Sequence, residues 1–385
     1  MNTKRKVLLR LNTSYALGRD ITSGIIRYSR NVGTWSLHTC SRLLMKDIVK
    51  LKGLDVDGII AFIPSRKKAM KLSLLGIPVI AVQNNELLEG FPFPYIMGDS
   101  TALGKIAAEY FTAKGFKNYA FYGTHNVQWS TQRSEAFSRS IAEFGYHVDI
   151  YQQPASGSLS IRKNSRFYLA EWLEKLPKPV AIFANNDIYC QKVIETCNEY
   201  TKLNIPNDIA ILGVDNDELI CTLCNPPLSS IARDAEKVGY DAAEFLDKMM
   251  KGEKVDRHKL LIQPTRVVER QSTDVIAVEN KEVAKALHYI RQNGNKILQV
   301  AQIVEETTTS RRVLQNLFQK YLGYSIQHEI HRTRIQKVAN MLLETNLPFY
   351  KIASSVGYTQ PENASRFFKK QMKMSPLVYR KKYST

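Results

Sequence analysis

Along residues 6 to 268, short apolar runs alternate with longer stretches of helical periodicity. The runs read KVLLRL, DGIIAFI, IPVIAVQ, KNYAFYG, PVAIFA and DIAILGV, and residues 100–115, 131–144 and 186–200 between them are amphipathic. Strands that are apolar almost throughout must be covered on both faces, and helices between successive strands supply the cover and make the strands parallel. The pattern therefore predicts a doubly wound α/β architecture. About 265 residues with so many strands exceed one compact sheet, so two lobes with a cleft between them are expected.

The pattern changes near residue 275, where the apolar runs stop and helical periodicity continues without a Gly/Pro-rich linker. Two domains are predicted on this basis, residues 1–274 and residues 275–385. The second contains one plan twice, with Phe318 and Phe368 as corresponding positions 50 residues apart. In the first copy Ser310 is placed to cap a helix whose apolar face is Val313, Leu314, Leu317, Phe318 and Tyr321. Its polar face carries Arg312, Gln315, Asn316 and Gln319, with Arg311 beside them. In the second copy Ile352, Ala353 and Val356 form a short stripe before Gly357 ends the helix. Pro361 then opens a helix with Ala364, Phe367, Phe368 and Met372 inward and Glu362, Asn363, Arg366, Lys369, Lys370 and Lys373 outward. A helix, a tight turn and a polar-faced second helix is the helix-turn-helix plan. Between the copies, Ile326, Ile330, Ile335, Val338, Ala339, Leu342 and Leu343 predict a connecting helix of roughly 30 Å, close to the spacing of successive major grooves, about 34 Å.

Charge separates the two regions. Residues 281–385 hold 18 of the 54 Lys/Arg but 6 of the 36 Asp/Glu, and so carry +12 of the net +18. A basic module joined to a near-neutral one predicts a polyanion as partner of the former, and Arg, Asn and Gln on the exposed faces are the residue types that read base edges while Lys grips phosphate. DNA is thus the expected partner. The N-terminus begins basic, but its five-residue apolar run, broken by Arg10, reads as a first strand and no stretch has the length to span a bilayer. Five cysteines spread over the chain do not make a secreted disulfide framework, which predicts a cytoplasmic protein. Cys221 and Cys224 form one C-x-x-C, and Cys190 and Cys197 do not complete a zinc-module spacing, so no metal and no cofactor are expected.

In doubly wound sheets, ligands sit at the carboxyl ends of strands. AIFANND ends on Asn186 and Asp187, AILGVDND runs to Asp215, and FYGTHNVQWSTQR carries Trp129 and Arg133 from a strand end into a helix. Carboxylates and a guanidinium can hydrogen-bond hydroxyl groups, and an indole face can cover the apolar side of a sugar ring. An Asp in the place of Asp187 can equally cap the following helix.

AIFANND, ILGVDND and PPLSSIARD resemble the sugar-responsive repressors of the LacI/GalR family and the periplasmic sugar-binding proteins, over about residues 5–268. That resemblance implies ligand contacts from Arg133, Asp187 and Asp215, and three passages of the chain between lobes: near Asp99, at Ile231–Asp234 and near residue 255. It would place HKLLIQPTRVV in the second lobe. The W-x-T-x-R segment of Trp129, Thr131 and Arg133 is similar to xylose-responsive regulators and implies an aldopentose effector; Arg19 would be a further ligand-facing arginine or an ion-pair partner at the cleft mouth. Residues 280–383 resemble the AraC/XylS family through R-I-x-x-V-A-x-x-L-L, I-A-x-x-x-G-Y, F-K-K and S-P-x-x-Y-R. This implies base contacts from Arg312, Gln315 and Asn316 in the first unit and from Glu362, Asn363, Ser365 and Arg366 in the second. It also implies RNA polymerase as a partner, a homodimer as the assembly and activation as the direction of control. Val304, Thr308, Asn316 and Met374 depart from the family pattern.

The rival readings are a regulator responding to another sugar and a doubly wound enzyme with a basic tail. The enzyme would need a phosphate cradle, and the sequence has neither G-x-G-x-x-G after a strand nor G-x-x-x-x-G-K-[ST].

Overall fold

A computed structural model describes residues 4–39, 56–82, 90–91, 93–153, 159–253, 259–275, 280–294, 298–372 and 374–383. The chain divides into two compact units: residues 1–113 with 117–273, and residues 274–385 with 114–116.

The first unit holds two six-stranded sheets. One comprises β1 (Arg5–Arg10), β2 (Trp35–Thr39), β3 (Gly58–Phe62), β4 (Val79–Val82), β5 (Tyr95–Gly98) and β11 (Lys259–Ile262), in the order β11-β5-β4-β3-β1-β2. All its pairings are parallel. The other comprises β6 (Asn118–Thr124), β7 (Val148–Gln153), β8 (Val180–Ala184), β9 (Ile209–Val214), β10 (Ser229–Arg233) and β12 (Pro264–Val268), in the order β12-β10-β9-β8-β6-β7. Here β12 is an antiparallel edge strand on an otherwise parallel sheet. The apolar runs became these strands because nearly every residue in them is buried, as in the fully enclosed VAIFA and IAILGV segments.

Helices α1 (Ala16–Val32), α2 (Arg66–Ser73) and α8 (Ala235–Met250) belong to the first lobe. Ile21, Ile25, Val238, Ala242 and Leu246 close its core over Val7, Ile60, Ile80 and Ile96. The helices α1 and α8 approach so closely that a Cβ on Gly24 would run into the backbone of Glu236. Glycine is required there by contact between two backbones. The second lobe takes α3 (Ser100–Ala113), α4 (Gln128–Ala142), α5 (Leu159–Lys175), α6 (Asp187–Tyr200), α7 (Glu218–Leu223) and a 3₁₀ turn at Gln271–Thr273. Cys190, Cys197, Cys221 and Cys224 meet in its core among Ile182, Val193, Ile209 and Leu228. Burial pushes the Cys224 thiol up to about 11 and the Cys197 thiol to about 12, which keeps both protonated near neutral pH. Among the described residues, no group of three or more His, Cys, Asp or Glu is placed to hold a metal ion.

The chain passes between the lobes after β5, after β10 and between β11 and β12. The third passage was expected near residue 255, but α8 before that point and β11 after it both belong to the first lobe; the chain changes sheets at Gln263, so the segment expected whole in the second lobe is divided, with Lys259–Ile262 in the first and Pro264–Val268 in the second. The periodicity of that segment is continuous, and nothing local marks where one sheet ends and the other begins. The three passages are tied side by side. Gln263 N donates to Asp234 Oδ1 (2.6 Å), Gln263 Nε2 donates to Asp99 Oδ2 (3.1 Å), and Asp99 N and Asp234 N donate to the Ile262 and Gln263 carbonyls.

The second unit is helical: α9 (Lys281–Gln292), α10 (Val300–Glu305), α11 (Arg311–Leu322), α12 (Ile326–Glu344), α13 (Phe349–Ser355), α14 (Pro361–Met372) and α15 (Pro376–Tyr383). It has two small cores. Ile290, Ile303, Leu314, Phe318, Ile326 and Ile330 form one; Ile335, Val338, Leu342, Ile352, Val356 and Phe368 form the other. The connecting helix α12 thus contributes one end to each core, and at 19 residues it is about 28 Å long. Val313 and Tyr321, expected inward, are 46% and 38% exposed, because α11 packs on α9 and α10 through Leu314 and Phe318, with Leu317 partly buried beside them.

Each small core rests on few side chains, so single truncations are costly. Phe368→Ala is expected to remove about 3–5 kcal/mol from the helical unit and lower its melting transition, whereas Phe367→Ala, at a half-buried site stacked on His331 (4.3 Å), costs less. Calorimetry of both variants checks the order.

Candidate ligand cleft and nucleic-acid interface

The carboxyl ends of β1, β3, β4, β8 and β9, with the start of α4, face a cavity of about 440 Å³ between the two lobes. Asn12, Tyr15, Phe62, Val82 and Gly98 line it from the first lobe. Gln128, Trp129, Gln132, Arg133, Asn185, Asn186, Tyr189, Lys192, Asp215 and Arg233 line it from the second lobe and its edge.

Arg133 lies one turn into α4 and is buried, its Nη1 donating to the Asn185 carbonyl and its guanidinium 5.3 Å from the Trp129 ring. Burial, followed by the neighbouring Arg233, lowers it to about 9. Asp215 follows β9 with a positive φ of 106°, and its Oδ1 accepts from Arg233 Nη2. Burial raises the Asp215 carboxyl, while Arg233 and then Arg133 oppose the rise. Asp20 on α1 is pushed up to about 6 by burial and then by Asp215. Several hydrogen-bonding atoms of wall residues are buried without a protein partner: Arg133 Nε, Arg233 Nε and Asn185 Oδ1. Such groups cost free energy unless something polar meets them.

The expected site residues divide. Trp129, Arg133, Asn186 and Asp215 come together on the wall. Asn186 also caps α6, its side chain accepting from Tyr189 N at 3.3 Å, so Asp187 is the first helical residue and not the cap. Asp187 sits behind the wall, fully buried, where a direct ligand contact was expected. Its Oδ2 accepts from Asp217 N (2.7 Å) and its Oδ1 from Ser230 Oγ (2.5 Å), so both oxygens are committed to holding the turn that carries Asp215. Arg19 is likewise outside the lining and pairs with Asp217 at 2.7 Å. Arg233 was missed by sequence reading. It ends an apolar strand, the same signal that singled out Asp215, but its partner lies 18 residues away and only the adjacent strands β9 and β10 bring them together.

In the helical unit, the Ser310 side chain caps α11 (3.4 Å to Val313 N) and Gly323 ends it in the left-handed region. Arg311, Arg312, Gln315 and Asn316 are exposed on α11; Glu362, Arg366 and Lys369 are exposed on α14, with Asn363 and Ser365 partly so. Lys373 lies outside the described residues. At the start of α14, Gln360 Oε1 accepts from Asn363 Nδ2 (3.2 Å) and Asn363 Oδ1 accepts from Arg366 Nη2 (3.1 Å), a row of amide and guanidinium groups linked by hydrogen bonds. No described helix is long and apolar enough to cross a membrane.

A periplasmic binding protein-like domain model matches residues 108–273 and a helix-turn-helix domain model matches residues 303–382. The fold and cleft therefore define a two-module transcription regulator, with a sugar-binding type of effector domain and a DNA-binding module of AraC type. The xylose operon regulatory protein of Escherichia coli K12 is 30% identical over 389 aligned residues, covering 99% of this chain and 98% of the relative. That of Haemophilus influenzae is 30% identical over 388, covering 97% and 98%. The chain belongs to this family of xylose operon regulatory proteins. A solved structure of a xylose-binding transcription activator, XylR, is 28% identical, covers 100% of both chains and superposes with a TM-score of 0.66. These relatives are regulators of transcription.

Burial, and after it Asp215, pushes Asp187 up to about 8 despite its two hydrogen bonds. Its folded value exceeds the unfolded one, so the stability it contributes is complete below the ordinary carboxylate range and is lost as pH rises through about 8. Asp187→Asn keeps an acceptor for Asp217 N and is expected to fold with a flatter melting-temperature profile between about pH 5 and 9, while Asp187→Leu strands both donors at a cost of about 2–4 kcal/mol. Thermal melts across that range test both.

Proposed function

We propose that this chain activates transcription of sugar-catabolism genes when a monosaccharide, D-xylose, closes the cleft of its first unit. The unmet buried groups of Arg133, Arg233 and Asn185 around a cavity of about 440 Å³ carry this reading. A ring of hydroxyl groups supplies donors and acceptors in the number these atoms need, and the Trp129 indole offers an apolar face to the C–H side of a sugar ring. Asp215 and Asn186 accept from or donate to the remaining hydroxyls, and Asp187 acts behind them by fixing the turn. Family membership supports xylose over other sugars; a related aldose is the second reading, supported by the same polar wall.

Closure about the Asp99, Asp234 and Gln263 passages gives the ligand two states to choose between. The sugar shifts the regulator only by its difference in affinity for them. On DNA, Arg311, Arg312, Gln315 and Asn316 of α11 and Glu362, Asn363, Ser365, Arg366 and Lys369 of α14 meet two successive major grooves, with α12 as spacer. A homodimer on paired half-sites, contact with RNA polymerase and a cytoplasmic setting follow from the family resemblance.

A thermal-shift panel of aldoses tests the effector, since a sugar at 100 times its Kd adds about 2.7 kcal/mol to stability. Arg133→Ala is expected to abolish the shift with D-xylose and leave DNA affinity at low salt intact. Arg366→Ala does the reverse, losing about 1–3 kcal/mol of specific DNA binding. Loss of both properties in either folded variant, or no shift with any aldose, overturns the reading.

A further inference from the structure

Arg19 and Asp217 come from different lobes. Arg19 lies on α1, directly after β1 of the first sheet; Asp217 lies on the turn after β9 of the second. Their ion pair, Nη2 to Oδ2 at 2.7 Å, therefore bridges the cleft, and it stands away from the hinge. Strand β1 is three places from β5, where the chain first passes over, or about 14 Å at the usual strand spacing. A bond at that distance from the axis resists opening with leverage that the hinge hydrogen bonds lack.

The surroundings commit both groups. Asp217 occupies the N-cap position of α7, yet its carboxylate makes no capping hydrogen bond and turns to the other lobe. That side chain is 5% exposed against 41% for Arg19, and its Oδ1 has no hydrogen-bond partner. Among the described residues, Arg19 is the hydrogen-bond donor to this carboxylate. Losing it would leave a buried negative charge uncompensated, which costs more than the ion pair itself is worth. Arg19 Nη1 also donates to the Thr13 carbonyl (3.2 Å), which aims the guanidinium. On the far side, Asp217 N is held by Asp187, and Asp215, two residues before, holds Arg233 on the wall. The pair is thus continuous with the ligand-facing turn.

We propose that Arg19 and Asp217 form a latch across the cleft that sets how long the lobes stay closed, with Arg19 a positioning residue that does not touch the sugar. Its consequence for ligand release rests on the sugar-cleft reading, but its geometry does not. The full-length protein is examined without ligand by amide hydrogen exchange, and with D-xylose by stopped-flow fluorescence. Arg19→Met is expected to speed exchange about three- to tenfold in both residues 12–20 and residues 214–220, since breaking a half-buried pair frees both lobes together. The same variant releases D-xylose faster by a similar factor with its association rate little changed. Asp217→Asn behaves alike, the double variant is no worse than either single one, and Arg19→Lys retains most of the effect. Unchanged exchange, exchange raised in one segment alone, or additive effects of the two substitutions overturn the latch. Should D-xylose and other aldoses fail to bind the unaltered protein, the sugar reading falls, while the exchange measurements still decide the latch.

Discussion

Three passages of one chain between two largely parallel sheets are the constraint on which the effector unit depends. Because Asp99, Asp234 and Gln263 are hydrogen-bonded to one another, the lobes share a single narrow joint, and the carboxyl ends of their strands are held toward each other. Everything polar that follows those strands is then delivered to one cleft. The cleft is a result of topology before it is a result of side-chain chemistry.

Burying charge at that place has a cost which the surrounding groups share. Arg133 is pulled down and Asp187 and Asp215 are pushed up, in each case chiefly by burial. Opposite charges are set beside each other to limit the penalty, as in the Arg233 and Asp215 pair, but the pairing is incomplete and leaves hydrogen-bonding atoms unmet. A polar ligand completes it. The helical unit solves the opposite problem: its two cores are small, and its charge faces outward on α11 and α14, where water or a polyanion can meet it.

Between the two helix-turn-helix cores lies a charged joint. Glu329 on α12 is fully buried and accepts from Arg332 Nε (2.7 Å) and Nη2 (2.9 Å) and from the Tyr324 hydroxyl (3.0 Å). It stands one residue before Ile330, the last α12 contribution to the first core, and six before Ile335, the first α12 contribution to the second. The turn after α11 is thereby fastened to the spacer helix by charge-assisted hydrogen bonds, which are more directional than apolar packing.

Sequence alone determined the architecture class, most element positions and the identity of the outward faces, because each depends on local periodicity and on residue type. KVLLRL and VAIFA read as strands with a buried centre; Ser310, Gly357 and Pro361 punctuate helices by rules that act within four residues. The residues gathered on the cleft wall at Trp129, Arg133, Asn186 and Asp215 were legible for the same reason, as polar groups at strand ends. Tertiary structure decided what depends on partners far along the chain: that Asp187 faces Asp217 and Ser230 behind the wall, that Arg19 reaches Asp217 in the other lobe, that Arg233 joins the site and that the last passage falls at Gln263. A side chain's type fixes what it can bond to, but which partner it meets is set by strand order and by the hinge, and neither has a local signature.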